Sequence, residues 1–488
     1  MVYKHGVYVE ENPTTFEQPG ESTSTTIVAF GTAPINLADD PNSVVNSPQI
    51  VRTFEEAKNL FGYSDDWEKY TLSEVMDAAF KQVKSAPLVL VNVLDPNEHT
   101  TSVTSEEITA INSQATINTE GIVLDSVVLK SQDGTTTYTI DEDYLLAFDD
   151  EGFVSVSVLD GGQITVSETL TVDYDKLDPS LVTNDDIIGG YDETTNTFKG
   201  IETVSTIFPK LNVVPSLLIA PGFSHNQEIG AALVAKSEAI NGSFKTENVL
   251  DLEGNTIDSA ILDKETKLYD DKSSVLAWPK IKISDKTYRY SSILASVMQR
   301  TDVENDNVPY QSPSNKRISI SSLVNDDGQE IYLDQVQGNR LNGKGIVTAI
   351  NMRGWRVWGN NTAMYDDENL SNVPDPKDRF IAVRRMFNWW GNSFILNYFD
   401  RVDDPTSYRL IESVVDQENI RANGFKARGQ IAGAKIEFRE KDNPVHQIMD
   451  GKIQFIQKIG FLTPAKEIEN VIEFDPTILT ESLFGGDA

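Results

Sequence analysis

Ten residues, PLVLVNVLDP at 87–96, restrict what this chain can fold into more than any other stretch. A nearly continuous run of Val and Leu fits a strand covered on both faces, and such strands lie inside parallel sheets layered by helices. The residues before it agree. IVAFGTAP (27–34) reads as a strand with a turn, and QIVRTFEEAKNLFG (49–62) as a short strand, a capping box Thr53-x-x-Glu56, a helix and a Gly62 stop. YTLSEVMDAAFKQVKSAP (70–87) opens with a second box, Thr71-x-x-Glu74. Its Leu72, Val75, Met76, Ala79, Phe80 and Val83 fall at helical spacing and predict one buried face. The alternation returns after residue 201 in PSLLIAPG, NQEIGAALVAKSEAI, ENVLDLEG, TIDSAILDKETKL, SSVLAWPKIKI and YRYSSILASVMQRTD. Strand–helix alternation predicts a mostly parallel sheet with right-handed crossovers.

Between these parts, residues 100–190 are rich in Thr, Ser, Val and Asp. YTIDEDYLLAFDDEGFVSVSVLDGGQITVSETLTVDY alternates and carries Asp-Glu-Gly and Gly-Gly turns, which predicts an inserted all-β module with an acidic surface. Further on, GIVTAINMRGWRVWGNNTAM holds two strand-like runs and DRFIAVRRMFNWWGNSFILNYF a helix. PTSYRLIESVVDQENIRANG reads as a helix ended by Gly424, and AGAKIEFRE, GKIQFIQKIGF and EIENVIEFDP as strands. No repeat or low-complexity tract is visible. The expected organisation is multidomain α/β (α+β). It comprises an extended N-terminal arm (1–20), an α/β domain (21–98), an inserted all-β sandwich or barrel (99–192), a second α/β domain (193–340), an α+β domain (341–475) and a C-terminal arm (476–488).

Composition removes several functions. The absence of cysteine excludes disulfides, thiolate zinc sites and cysteine nucleophiles. The four histidines, His5, His99, His225 and His446, show no metal-motif spacing. The polar N-terminus lacks a signal-peptide core, and no apolar run approaches the roughly 18 residues that span a bilayer, so a soluble chain made in the cytoplasm is expected, without membrane insertion. Charge is uneven: residues 1–340 hold 23 Lys and Arg against 54 Asp and Glu, 341–460 hold 17 against 15, and 461–488 hold 1 against 6. The acidic part disfavours nucleic acid as a partner.

The motifs that resemble active sites fail on inspection. GNRLNGKGI (338–346) is one residue from a phosphate loop. Gly345 stands where a Mg²⁺-holding hydroxyl is needed, and a β-branched strand follows where a helix N-terminus is needed. A domain junction with a tight positive-φ turn explains the glycines. No G-x-S-x-G elbow occurs, and Ser224-His225, being adjacent, cannot form the usual pair; His225 is expected in a helix N-terminal turn. Asp302, Glu304 and Asp306 mimic a calcium loop that fails at Asn307 and Pro313, leaving surface acidity as the reading. Phe387, Trp389, Trp390, Phe394 and Phe399 fit a core better than a stacking platform. No catalytic residue, cofactor or metal is expected.

Both ends read as extended. VYKHGVYV (2–9) has β propensity, and residues 476–488 follow a strand and a proline. A lone strand gains stability by adding to a sheet edge, and head-to-tail addition between copies builds open helical arrays. The expected strand-arm residues are Val2, Tyr3, Val7, Tyr8, Val9, Ile478, Leu479, Leu483 and Phe484.

In order along the chain, YKHGVYVEENP, GTAPINLADDPNSVVNSPQIVRTFEEAKNLFG, YTLSEVMDAAF, VLVNVLDP, LLIAPGFS, VPYQSPSNKRI, LNGKGIVTAINMRGWRVWGNNTA and FIAVRRMFNW resemble tail sheath proteins of contractile-tailed phages and phage-tail-like bacteriocins. The resemblance is weakest over 100–190. It implies a non-enzymatic subunit of a helical homo-oligomeric sleeve around an inner tail tube protein, with baseplate and tail terminator proteins as further partners. It implies a virion component assembled in the host bacterial cytoplasm and released by lysis. It also implies a subtilisin-like middle domain without the catalytic triad and a tube-facing C-terminal domain, on which Arg384 and Arg385 are the candidate tube contacts. The rival expectations are a hydrolase with a subtilisin-like domain and an acidic surface adhesin.

Overall fold

The computed structural model describes residues 25–149, 151–165, 169–369 and 373–484. Strands β1 (Ile27–Gly31), β2 (Gln49–Val51) and β3 (Leu88–Asn92) alternate with helices α1 (Phe54–Phe61) and α2 (Thr71–Met76), the latter continuing in wider π-type turns to Val83. Thr53 caps α1 by accepting the Glu56 N–H, and Gly62 ends it at φ 71°. The second capping box does not form. Tyr70 is the N-cap residue of α2, and Glu74 is drawn inward by Arg289.

Residues 100–177 carry β4 (Thr100–Thr109), β5 (Gln114–Ile117), β6 (Val128–Ser131), β7 (Tyr144–Phe148), β8 (Val154–Val158) and β9 (Thr169–Leu177). They form two three-stranded antiparallel sheets, β4-β9-β6 and β5-β8-β7. Alternate residues of both sheets, among them Ile117, Leu129, Val154, Val156, Leu170 and Val172, share one core.

The chain then forms α3 (Asn184–Ile188), the hairpin β10 (Gly190–Asp192) and β11 (Thr197–Lys199), and α4 (Val204–Leu211). Next come β12 (Leu217–Ile219), α5 (Gln227–Glu238), β13 (Glu247–Asp251), α6 (Ile257–Lys267) and β14 (Ser274–Ala277). A small antiparallel sheet of β15 (Lys280–Ile283), β16 (Lys286–Tyr288), β17 (Ser322–Val324) and β18 (Glu330–Ile331) surrounds helix α7 (Tyr290–Val303) in sequence. Helix α8 (Gln335–Gly343) leads to β19 (Ile346–Asn351) and β20 (Trp355–Trp358).

One eight-stranded sheet, ordered β2-β3-β1-β12-β13-β14-β19-β20, organises the body. Six inner strands are parallel and the two outermost antiparallel. Ile27, Ala29, Leu88, Leu90, Leu217 and Ile219 point into one core, while Val28, Phe30, Val89, Val91 and Leu218 point into another. Both faces are therefore covered, as the Val-rich runs require. Residues 27–92 and 217–358 belong to this single sheet, so the two α/β stretches kept apart in the sequence reading form one layer. The sheet also takes β19 and β20, which that reading assigned to the C-terminal domain.

The C-terminal part contains α9 (Pro376–Arg379), α10 (Ile381–Tyr398), α11 (Tyr408–Ala427), β21 (Gly433–Phe438), α12 (Val445–Met449), β22 (Phe455–Gly460) and α13 (Pro476–Phe484). Trp389 and Trp390 pack edge-on against Phe425, each at 5.4 Å between ring centres, and with Met386 and Ile431 they form a separate core. Phe399 is left exposed. Gly424 does not end α11, which continues to Ala427. EIENVIEFDP (467–476) has no strand partner among the described residues.

Candidate functional site

Three places attract attention: the strand ends where an α/β sheet would hold a ligand, the Gly-rich turn, and the C-terminal tail. At the first, a cleft of about 200 Å³ is lined by His225, Asp251, Arg289 and Tyr290. Asp251 ends β13 and is half-buried. It accepts from the Ser291 N–H at 2.8 Å, the Ser291 hydroxyl at 2.5 Å and the Ser224 hydroxyl at 3.2 Å. Glu74 is buried, accepting from the Arg289 N–H and guanidinium, both at 2.7 Å, and from Ser292 at 2.8 Å. Burial pushes both carboxyls above the usual carboxylate range. The Ser224 hydroxyl bonds to Asp251, while His225 sits in the turn before α5, as its sequence position predicts. The corner thus has acids and hydroxyls, but they hold one another and fasten α7 to α2 and β13.

Glu98, His99 and Asp186 meet where the all-β module joins the body. His99 Nδ1 accepts the Asp95 N–H at 2.9 Å, which puts the ring proton on Nε2, 3.5 Å from Asp186. That tautomer leaves no Nε2 lone pair for a metal. The Asp178 N–H bonds to the His99 carbonyl at 2.8 Å, so this cluster ties together the two chain crossings between module and body.

The Gly-rich stretch is half helix. Asp334 caps α8 in a box with Gln337, so a helix starts at Gln335 and runs into the glycine-rich stretch. Gly345 makes the positive-φ turn at 70°. Lys344, the lysine of the near-phosphate loop, pairs with Asp366 and Glu368, both at 2.8 Å. Buried Lys264 donates to the Lys344 and Tyr365 carbonyls from beneath. Two acids and a buried lysine already neutralise and fix this turn, which argues against an anion site.

The proposed tube contacts separate. Arg385 faces inward, 3% exposed, with its guanidinium forked onto Asp302. Its side chain is therefore not presented on the surface of this chain. Arg384, a helical step of about 100° away, is half-buried and bonds to Asp378 and Asn388. Asp302, read as surface acidity, is wholly buried, because α7 continues its core face four residues past Met298. That spacing, and the i, i+4 spacing of Ile381, Arg385 and Trp389, were the available sequence signals.

At the chain end, Phe461 still packs on Trp390 and Phe387. Lys466 reaches back over the Tyr365 ring, 5.5 Å from its centre, and beyond it the chain leaves the body. Ile468, Val471, Ile472 and Phe474 are exposed by 88, 72, 85 and 79%. Ile478, Leu479 and Leu483 are exposed on α13, which runs to Phe484, so these four expected strand residues are helical. Val2, Tyr3, Val7, Tyr8 and Val9 lie outside the described residues.

A layered body whose polar corners are fastened internally, ending in an unpaired apolar tail, has the make-up of a structural assembly protein. Comparison with known proteins makes this specific. No family model matches the chain. It is 24% identical over 510 aligned positions to the tail sheath protein of Burkholderia phage BcepMu, covering 99% of each chain. It is 23% identical to the major tail sheath protein of Serratia phage KSP20, over 59% of this chain and 70% of that one. In fold it resembles a chain of an extracellular contractile injection system (PVC) sheath complex in the contracted state, with TM-score 0.56, 15% identity, and 98% and 99% of the two chains covered. The contracted helical sheath of the anti-feeding prophage gives TM-score 0.55 at 14% identity, over 98% and 100%. Sequence relatives and fold neighbours support one reading, a contractile tail sheath protein, which the ordered motifs predicted.

Proposed function

We propose that copies of this chain polymerise helically around an inner tube and contract by rigid-body rearrangement, driving the tube through a target cell envelope. The observation that carries this is the tail: about two and a half turns of helix preceded by residues 462–475, with five large apolar side chains exposed (Leu462, Ile468, Val471, Ile472 and Phe474) and no ladder partner among the described residues. Such a segment is stabilised by adding to a sheet edge of another copy, and the two-stranded sheet β21-β22 offers edges. The N-terminal arm (1–20) has the matching role. Contraction draws on the difference between two sets of interfaces, with no nucleotide hydrolysed.

The contracted-sheath neighbours support sheath association and a place in a phage or phage-tail-like particle. The inner tube and terminator proteins as partners, assembly in the host cytoplasm and release by lysis complete the proposal. The body is read as subtilisin-like without a triad, in keeping with Ser224 bonded to Asp251. The all-β module is read as an insertion.

Negative-stain microscopy tests the arms. Full-length protein is expected to form sleeves, and chains lacking residues 1–12 or 467–488 to remain folded and discrete. Sleeves from either truncation would refute the arm mechanism. Discrete particles from the full-length chain at every concentration would refute polymerisation itself.

A further inference from the structure

Four elements meet at one buried polar cluster between α10 and the sheet. From α10 comes Arg385, whose Nη1 donates to Asp302 Oδ1 at 3.1 Å and whose Nη2 donates to Oδ2. Asp302 stands at the end of α7. From the root of β1 comes Thr25, whose hydroxyl donates to Asp302 Oδ2 at 2.6 Å, while Gln299 of α7 donates to the Thr25 carbonyl at 2.7 Å. From β13 comes Glu247, accepting from Asn388 at 2.7 Å and lying 3.8 Å from Arg385 Nε. Asn392 brackets the chain at Lys245 by donating to its carbonyl at 2.7 Å and accepting its N–H at 3.0 Å.

The charges do not balance. Two carboxylates, Asp302 and Glu247, face one guanidinium, and all three side chains are at most 5% exposed. Arg384, half-buried and held by Asp378 and Asn388, adds a more distant positive charge; Lys316 acts on Asp302 from further off, and the Lys245 residue lines the same small cavity. A surplus buried negative charge is costly, and binding a proton is the least expensive remedy. Asp302 holds both prongs of Arg385 and the Thr25 hydroxyl, whereas Glu247 has one amide donor and a longer ionic contact. Burial pushes Asp302 up as well, but its bonds to the Arg385 fork and the Thr25 hydroxyl favour its charged form, so the proton belongs on Glu247.

We propose that the Glu247–Arg385–Asp302 cluster is a proton-responsive joint, which sets how firmly α10 and the root of β1 are held to the body. Protonated, the cluster is neutral and α10 docks tightly. Deprotonated, it carries an unpaired charge at the β13–α10 contact, and the joint loosens. Burial, with the Asp302 carboxylate, pushes Glu247 up to about 7 against the pull of Arg385 and Arg384. Because this value lies above that of an unfolded glutamate, the folded joint holds the extra proton. Its contribution is full below about pH 4.3 and is lost as pH rises through about 7.

Hydrogen exchange of the α10 amides tests this in the isolated full chain, independently of any assembly. After correction for intrinsic exchange, wild-type protection is expected to fall about tenfold or more between about pH 5 and pH 8. In Glu247→Gln, which keeps the acceptor for Asn388 and removes the titration, the change is expected to shrink below about threefold. Wild-type protection that is flat across this range, or a slope that persists in Glu247→Gln, would overturn the proposal. The wild-type arm decides the matter even if the variant does not fold.

Discussion

Arg385 shows how a charged residue can be part of the interior. It lies on the Ile381–Arg385–Trp389 face of α10, and its fork is filled by Asp302, so removal strands a buried carboxylate. Arg385→Ala is expected to cost about 3–5 kcal/mol of unfolding free energy, read from urea titration. Arg421 is another such arginine, bonded to buried Glu418 at 3.0 and 3.1 Å. The near-neutral balance of residues 341–460 is thus partly an internal property, and does not by itself describe a surface. Lys264 gives a pH test with its own sign. Burial lowers it to about 8, so between about pH 8 and the ordinary lysine value near 10.4 the unfolded chain binds more protons. Stability from this group rises with pH across that window. The unfolding free-energy difference between wild type and Lys264→Met should therefore grow from pH 8 to pH 10, and a constant difference would contradict the burial argument.

Among elements, the α8–β19 turn joins local chemistry to long-range packing. Gly345 is required twice over: its φ is 70°, and a Cβ there would stand 2.4 Å from the Thr362 carbonyl. Gly345→Ala is expected to cost about 2–4 kcal/mol, measurable as a lowered urea midpoint with unchanged slope. The glycine's role as a tight turn was legible in GNRLNGKGI. The helix before it was not, because Gly338 and Gly343 are weak helix formers. α8 forms nonetheless, with Asp334 capping it and Leu341 buried against the sheet. The Thr71-x-x-Glu74 box failed for the opposite reason. The local motif was sound, but a buried arginine 215 residues away claimed Glu74.

For the whole molecule, the all-β module joins the body through paired neighbours, Thr100 opposite Leu177. Its core residues are separate from those of the sheet, apart from Leu177, which is buried in the sheet's core, and Val123, which packs against it. Replacing residues 100–177 with a short Gly-Ser bridge is expected to leave a folded body whose thermal midpoint moves only a few degrees, since short surface closures cost little. Loss of cooperative unfolding would show that module and body are one folding unit. The exposed tail belongs to this scale too, since its apolar residues have no counterpart among the described residues.

Sequence alone determined what local periodicity and turn chemistry can carry: the both-face-covered strands, the amphipathic helices, the β-rich middle, the Gly62 and Gly345 turns and the ordered sheath-like motifs. Tertiary structure decided that residues 27–92 and 217–358 share one sheet, that Glu74, Glu247, Asp302 and Arg385 are interior, and that residues 476–484 are helical while 462–475 have no strand partner among the described residues. The physical reason is range. A pattern of period two or near four reports which face is apolar, but the buried charges of Arg385 and Glu74 depend on partners 83 and 215 residues away.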